Sequence, residues 1–389
     1  MSNSRRGPVI FLLCVVVFVL LFSAVAEVWL HTVTPASESP LSFQDTSAMI
    51  IRFDLSGPRE GLFTVGRLAR KGGQWRVNNT GWNSAVDYVP AAESERPLIA
   101  LFGDSYIEGM LTDVDRHIDV YMQGLLKPPC NVYSFGGSGW YLEQYLATSR
   151  YVASRYGPDL LVIFIGGGDV FDSVRENGVV SSNLYQISET ENRFVEVAPT
   201  EIYSQSRVAR LAKKSAIVNY LRYNAKLRLP GMRNAAIPEP ATGASEAGGG
   251  AGPASADAWR KLLPAADYMV GQLVAQHPGT PIIFVSYGDR YLPVEAVGET
   301  KLFADALAVQ EASAGHPQCY FFDLRLAFSQ DWAAHQRRFE AADGAHWNSY
   351  ANRLVAETLA GFIEDNHLLD RPGSTGAPLE HAIMSPADE

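Results

Sequence analysis

The six residues Leu160-Leu-Val-Ile-Phe-Ile165 are apolar without a break, and Gly166-Gly-Gly-Asp169 follows them at once. A run with no polar alternation suits a strand covered on both faces, which points to a parallel sheet packed between helices. Stretches of the same kind recur at Leu98–Phe102, Asn131–Phe135, Pro281–Ser286 and Cys319–Leu324. Helical patterns fall between them: about Asp115 to Leu126, with Ile118, Tyr121, Met122 and Leu125 on one face, then Tyr141–Arg155, closed by Gly157-Pro158. Further helices are expected over Trp259–Ala275, Thr300–Ala312 and Asn348–Ile363. This alternation predicts the α/β class, with a parallel sheet wrapped on both sides.

The chain divides by composition. Residues 1–30 read as a signal-anchor or transmembrane helix: Arg5 and Arg6 precede Val9–Ala26, which carries no charge. That run lies between a secretory apolar core of about 7–15 residues and a span of about 20. Ala24-Val-Ala26 fits a cleavage site, and Glu27 with Trp29 fits an uncleaved interfacial end, so both outcomes stay open. The basic pair places the amino end in the cytoplasm and the rest outside.

Residues 31–95 read as a linker and a small lead-in segment, with weak strands over Met49–Ala69 and Trp75–Trp82 and turns at Lys71-Gly-Gly73 and Asn78–Gly81. Residues 96–370 form the main domain, interrupted by an insertion at about 174–257. Within it Glu201–Leu227 is expected to be helical, and the Ala/Gly/Pro/Ser tract Ala235–Ala256 mobile. Residues 371–389 read as a flexible tail.

A net charge of −10 with no basic block argues against a nucleic-acid partner. The three cysteines, Cys14, Cys130 and Cys319, form no Cys-x-x-Cys pair or zinc spacing, and no metal or cofactor is expected.

The first strand stops on Gly103-Asp104-Ser105, which delivers a hydroxyl to the carboxyl edge of the sheet, where open α/β folds bind ligands. A serine hydroxyl becomes a useful nucleophile only beside a base whose tautomer a third group fixes. Of the eight histidines, His346 lies in Asp343-Gly-Ala-His346, on the loop between the fifth strand and the final helix. That loop shares the serine's edge of the sheet, and an Asp three residues before a His can return its carboxylate to Nδ1. Taken alone, an Asp-x-x-His is better explained by a turn cap and a surface imidazole. Asp331 and His335, four apart, look like one face of a helix.

Gly103-Asp104-Ser105, Phe135-Gly136-Gly-Ser-Gly139, Pro158-Asp159-Leu160 with the loop after it, and Asp343-Gly-Ala-His346-Trp347-Asn348 occur in order at successive strand ends. In these motifs the chain resembles the SGNH/GDSL hydrolases, over about Pro97 to Ile363, and Trp75–Trp82 looks like the lead-in of membrane-anchored bacterial members. The resemblance implies a three-layer α/β/α fold with a five-stranded parallel sheet in flavodoxin-like order 2-1-3-4-5. It implies Ser105 as nucleophile, His346 as base and Asp343 as its orienting acid. The Ser105 and Gly139 backbone N–H groups would be oxyanion donors, with Asp104, Gly168 and Asp169 counted among the surrounding oxyanion or substrate-binding positions.

The family's third oxyanion donor is an Asn side chain, and Gly168 stands in its place. The preferred expectation is that a backbone N–H of the glycine run turns inward. Otherwise Asn348 or an inserted residue substitutes, or turnover is slow or absent. Asp169 and Asp172 fit loop-organising carboxylates better than catalysts. The implied strand order separates Cys130 from Cys319 by four strand spacings, roughly 19 Å, so two free thiols are expected.

The partners implied are an acylated carbohydrate or other small acyl ester, and the membrane through the N-terminal helix; the compartment is the bacterial periplasm or cell exterior. The activity implied is an esterase acting through an acyl-enzyme. An O-acyltransferase with the same triad, or a weak or inactive glycan-binding or assembly protein, are the alternatives. Tyr106, Trp140, Tyr141 and Trp347 fit a sugar-stacking platform or plain packing equally well.

Overall fold

The computed structural model describes residues 6–177, 186–190, 193–197, 207–227 and 257–370. Helix α1 (Arg6–Thr32) opens the chain. Two antiparallel hairpins follow, β1 (Ser42–Asp45) with β2 (Ile50–Phe53), and β3 (Glu60–Val65) with β4 (Arg70–Arg76). Then come β5 (Leu98–Gly103), α2 (Ile118–Leu125), β6 (Asn131–Gly136), α3 (Leu142–Tyr156) and β7 (Leu160–Ile165). The insertion holds a hairpin of β8 (Gln186–Thr190) and β9 (Arg193–Val197), and the short helices α4 (Arg207–Ala212) and α5 (Ala216–Asn219). The chain closes with α6 (Ala258–Gln276), β10 (Ile282–Ser286), α7 (Val294–Val297), α8 (Ala304–Ala314), β11 (Cys319–Asp323), α9 (Arg325–His335) and α10 (Ser349–Asp365).

The central sheet runs β6-β5-β7-β10-β11, all parallel, which is the expected order 2-1-3-4-5. In β7, Leu161, Ile163 and Ile165 join a core shared with α3, α6 and α8. Leu160, Val162 and Phe164 join the opposite core with α2, α9 and α10. Both faces of the strand are therefore dry, which is why its sequence shows no alternation. Helix α3 stops where Gly157 takes a left-handed φ of 54° and its N–H caps the Val152 and Ala153 carbonyls. Cys130 lies at the start of β6 and Cys319 at the start of β11, on opposite edges, and both thiols are free.

The lead-in packs against the main domain. Trp82 packs edge-on to Phe135 and Trp140, and Tyr88 stacks on Tyr133 at 4.0 Å and donates its hydroxyl to the Ser134 carbonyl. The Asn83 amide donates to the Glu108 carbonyl. The turn expected at Lys71-Gly-Gly73 is not there: these residues lie inside β4. A Cβ at Gly73 would stand 2.3 Å from the Thr112 backbone, so the glycines permit the close approach of the segment after Ser105.

The single helix expected over Glu201–Leu227 is also broken. Its described part consists of α4, α5 and a π turn over Tyr220–Asn224. Ser215 caps α5, and Glu27 of α1 accepts the Ser215 hydroxyl and the Ala216 and Ile217 N–H groups. The tract Ala235–Ala256 and residues 371–389 lie outside the described residues.

Candidate active site

Strand β5 delivers Ser105 on a tight turn. The Asp104 carbonyl accepts the N–H groups of Ile107 (3.2 Å) and Glu108 (2.9 Å), and its carboxylate takes the Tyr106 N–H (2.9 Å) and the Tyr287 hydroxyl (3.0 Å). Burial raises the pKa of Asp104 despite those donors. The Ser105 Oγ lies 2.8 Å from His346 Nε2, and His346 Nδ1 lies 2.5 Å from Asp343 Oδ2. Asp343 Oδ1 accepts the N–H groups of Ala345 and His346, so the Asp-x-x-His turn closes on its own carboxylate and sets the ring. Burial pushes the Asp343 pKa up. The bond to the ring, the ring's charge and the two N–H donors outweigh it and leave the carboxyl below its ordinary range.

Two side chains fix this loop from outside the motif. The Tyr106 hydroxyl and the Arg290 guanidinium both donate to the Ala345 carbonyl, at 3.1 and 2.9 Å. The Tyr106 ring lies 5.3 Å from the His346 ring and 4.8 Å from Trp347. Thr112, from the far side of the Ser105 turn, donates its hydroxyl to the Trp347 carbonyl at 2.8 Å.

Among the described residues the Ser105 and Gly139 backbone N–H groups have no acceptor. Gly139 takes a φ of 71°, which suits glycine. The loop before it is held by Glu108, whose carboxylate accepts the Ser138 N–H at 2.5 Å and the Ser138 hydroxyl. Burial raises the pKa of Glu108, and the Ser138 donors and the field of His346 act against that rise.

The loop after β7 is anchored from α8. Gly168 adopts a φ of 96°, and Asp305 of α8 accepts the Val170 and Phe171 N–H groups at 2.8 and 3.0 Å. Asn348 does not supply the missing asparagine donor, because it caps α10 and spends its amide on the Arg338 and Glu340 carbonyls. Asp104 and Asp169 each hold backbone and tyrosine groups of their own loops. Asp169 is buried on the Gly166 N–H (2.8 Å) and the Tyr145 hydroxyl (3.4 Å), with its pKa driven well up by burial and by Asp104. Both carboxyl groups organise loops.

Of the four candidate platform aromatics, Tyr106 and Tyr141 are half-buried. Trp140 and Trp347 are buried, Trp347 among Phe164, Tyr287 and Phe328, so packing accounts for them. Glu108, Arg290, Tyr287 and Asp305 escaped the sequence reading. Each is a lone polar residue whose partner lies on another element, and no local spacing marks it.

No family model and no curated protein matches the chain. Solved structures with a similar fold include a carbohydrate esterase family 2 enzyme with a carbohydrate-binding domain from Corynascus thermopiles (Myceliophthora fergusii). It is 12% identical over 72% of this chain and 69% of that one, with a TM-score of 0.36. A family 3 carbohydrate esterase from Clostridium thermocellum is 13% identical over 69% and 96%, with a TM-score of 0.34. An acetyl xylan esterase from the rumen bacterium Butyrivibrio proteoclasticus is 10% identical over 70% and 64%, with a TM-score of 0.33. A likeness of this size carries nothing about activity or substrate.

Proposed function

We propose that the protein is an extracytoplasmic serine esterase, tethered by α1, that removes acyl groups, O-acetyl first among them, from a carbohydrate. The observation that supports this reading is the continuous path Ser105 Oγ–His346 Nε2 (2.8 Å) and His346 Nδ1–Asp343 (2.5 Å) at the carboxyl edge of the sheet. In the reaction His346 takes the Ser105 proton as Oγ attacks the ester carbonyl. The tetrahedral oxyanion is met by the Ser105 and Gly139 N–H groups. The imidazolium then gives its proton to the leaving sugar oxygen, leaving an acyl-serine. Water, deprotonated by His346, attacks the acyl carbonyl; the acid departs and Ser105 recovers its proton.

With a glycine at 168 in place of the asparagine, two backbone donors, at Ser105 and Gly139, would carry the oxyanion. Loss of one donor elsewhere costs about 10²–10³ in turnover, so a slow esterase is expected. The decisive experiment is fluorophosphonate labelling of the wild type against Ser105→Ala, followed by an ester panel that includes O-acetylated glycans. Covalent labelling and ester turnover that both vanish in Ser105→Ala support the reading. If the wild type neither labels nor turns over esters, a glycan-binding or assembly role replaces it. Acyl transfer from a labelled donor to added glycan, with little release to water, would assign the same serine to a transferase.

A further inference from the structure

The insertion meets the apolar helix at a defined depth. The charge-free stretch Val9–Ala26 is about 27 Å long as a helix, close to the hydrocarbon thickness of a bilayer. Glu27, the next residue, would therefore lie at headgroup level, and it is Glu27 that accepts the Ser215 hydroxyl and the Ala216 and Ile217 N–H groups at the start of α5. The lead-in is tied to the same place. The Tyr220 hydroxyl donates to the Arg67 carbonyl at 2.8 Å, and the Asn224 amide donates to the Gly66 carbonyl and to Thr64.

Three segments gathered around this junction each carry an exposed leucine directly after an exposed cation. They are Arg67-Leu68 in the β3–β4 turn, Arg210-Leu211 in α4, and Lys226-Leu227 after the π turn, with the leucines 83%, 69% and 53% exposed. Lys214 is exposed beside them. The acidic groups nearby are occupied: Glu27 by α5, Glu38 by the Leu62 N–H, and Asp54 by Ser56 and, at 3.9 Å, by Arg210. In a chain of net charge −10, such a cluster stands out.

We propose that this surface, formed by the insertion and the β3–β4 turn, docks on an anionic lipid surface, with the three leucines entering the acyl boundary and the cations resting among the headgroups. The docking fixes the orientation of the domain above the membrane. It rests on α1 remaining as the membrane anchor.

The test uses the full-length chain in vesicles of phosphatidylcholine with or without phosphatidylglycerol, with brominated acyl chains as quencher. Environment-sensitive probes are placed singly through Leu68→Cys, Leu211→Cys and Leu227→Cys in a background with Cys14, Cys130 and Cys319 changed to Ala. Leu326→Cys on α9 serves as the control, and a chain retaining only Cys14 reports the anchor. Quenching of all three probes in phosphatidylglycerol vesicles, absent at Leu326, is expected. Each cation near an anionic surface shifts the docked ratio about fivefold. Charge reversal by Arg67→Glu, Arg210→Glu and Lys226→Glu together should therefore return the probes to the control value. Unquenched probes with a quenched Cys14 overturn the docking while leaving the anchor intact. An unquenched Cys14 overturns both. Equal quenching without phosphatidylglycerol overturns the lipid-charge requirement, and shielding only in the presence of another protein reassigns the surface to that partner.

Discussion

Glu108, three residues past Ser105, reaches over to Ser138 and accepts both its backbone N–H and its hydroxyl. The next residue, Gly139, presents an N–H with no acceptor among the described residues. The turn that carries Ser105 and the loop that carries Gly139 are thus set against one another by a buried carboxyl.

If Glu108 positions the oxyanion loop, Glu108→Ala should lower kcat by about 10–100-fold, within the loss expected for a displaced oxyanion donor, and leave KM nearly unchanged. Glu108→Gln keeps an acceptor for Ser138 and should restore most of the rate. Steady-state kinetics on one soluble acetyl ester suffice. Equal losses in both variants, or a rise in KM alone, would remove Glu108 from this role.

Asp343→Asn leaves the turn free to form but withdraws the charge that favours the Nδ1–H tautomer. A loss of about 10⁴ in kcat is the precedent for such a change in a serine triad. The folded carboxyl sits below its ordinary pKa, so its contribution is present above the unfolded pKa and declines as pH falls through the folded value. Thermal melts of wild type and Asp343→Asn should therefore converge in acid. A gap that persists at the lowest pH would refute the assignment.

Much of this was open to reading from the chain, and the rest was closed for identifiable reasons. The two-sided burial of β7 is written in its unbroken apolar run, and the sheet order was implied by the family resemblance that the strand-end motifs carry. Gly-Asp-Ser and Asp-x-x-His each carry their geometry within a few residues, so their meeting across 241 positions could be expected. Lys71-Gly-Gly73 misled because glycine marks a close backbone approach as readily as a turn, and only the Thr112 backbone decides between them. Asp305 gave no warning at all. It lies on a helix 135 residues beyond Val170, and its capture of the Val170 and Phe171 N–H groups is a purely tertiary event.

Asp119 is buried beneath the lead-in, with the Ser84 hydroxyl donating to it, and burial pushes its pKa up to about 7. The folded protein therefore binds this proton more tightly than the unfolded chain does. The associated stability is fully present below the ordinary carboxylate range, and it is lost as pH rises from about 4 to about 7. Asp119→Asn should raise the melting temperature at pH 8 and have a much smaller effect near pH 4. The same shift at both values would show that the charge is not the cause.

Cys130 and Cys319 should remain thiols even after export to an oxidising compartment, since they flank opposite edges of the sheet. The unfolded, unreduced chain should titrate all three cysteines with a thiol reagent. A yield of one would reveal a bridge and overturn the sheet order itself.

The bond between Ser105 and His346 joins the first strand of the sheet to the segment leading into its last helix. Closing so long a loop is slow relative to local folding. Until that last segment emerges and docks, Ser105 is an ordinary alcohol on a half-made sheet. A chain truncated before Asp343 would therefore leave Ser105 without the imidazole that the complete fold sets beside it.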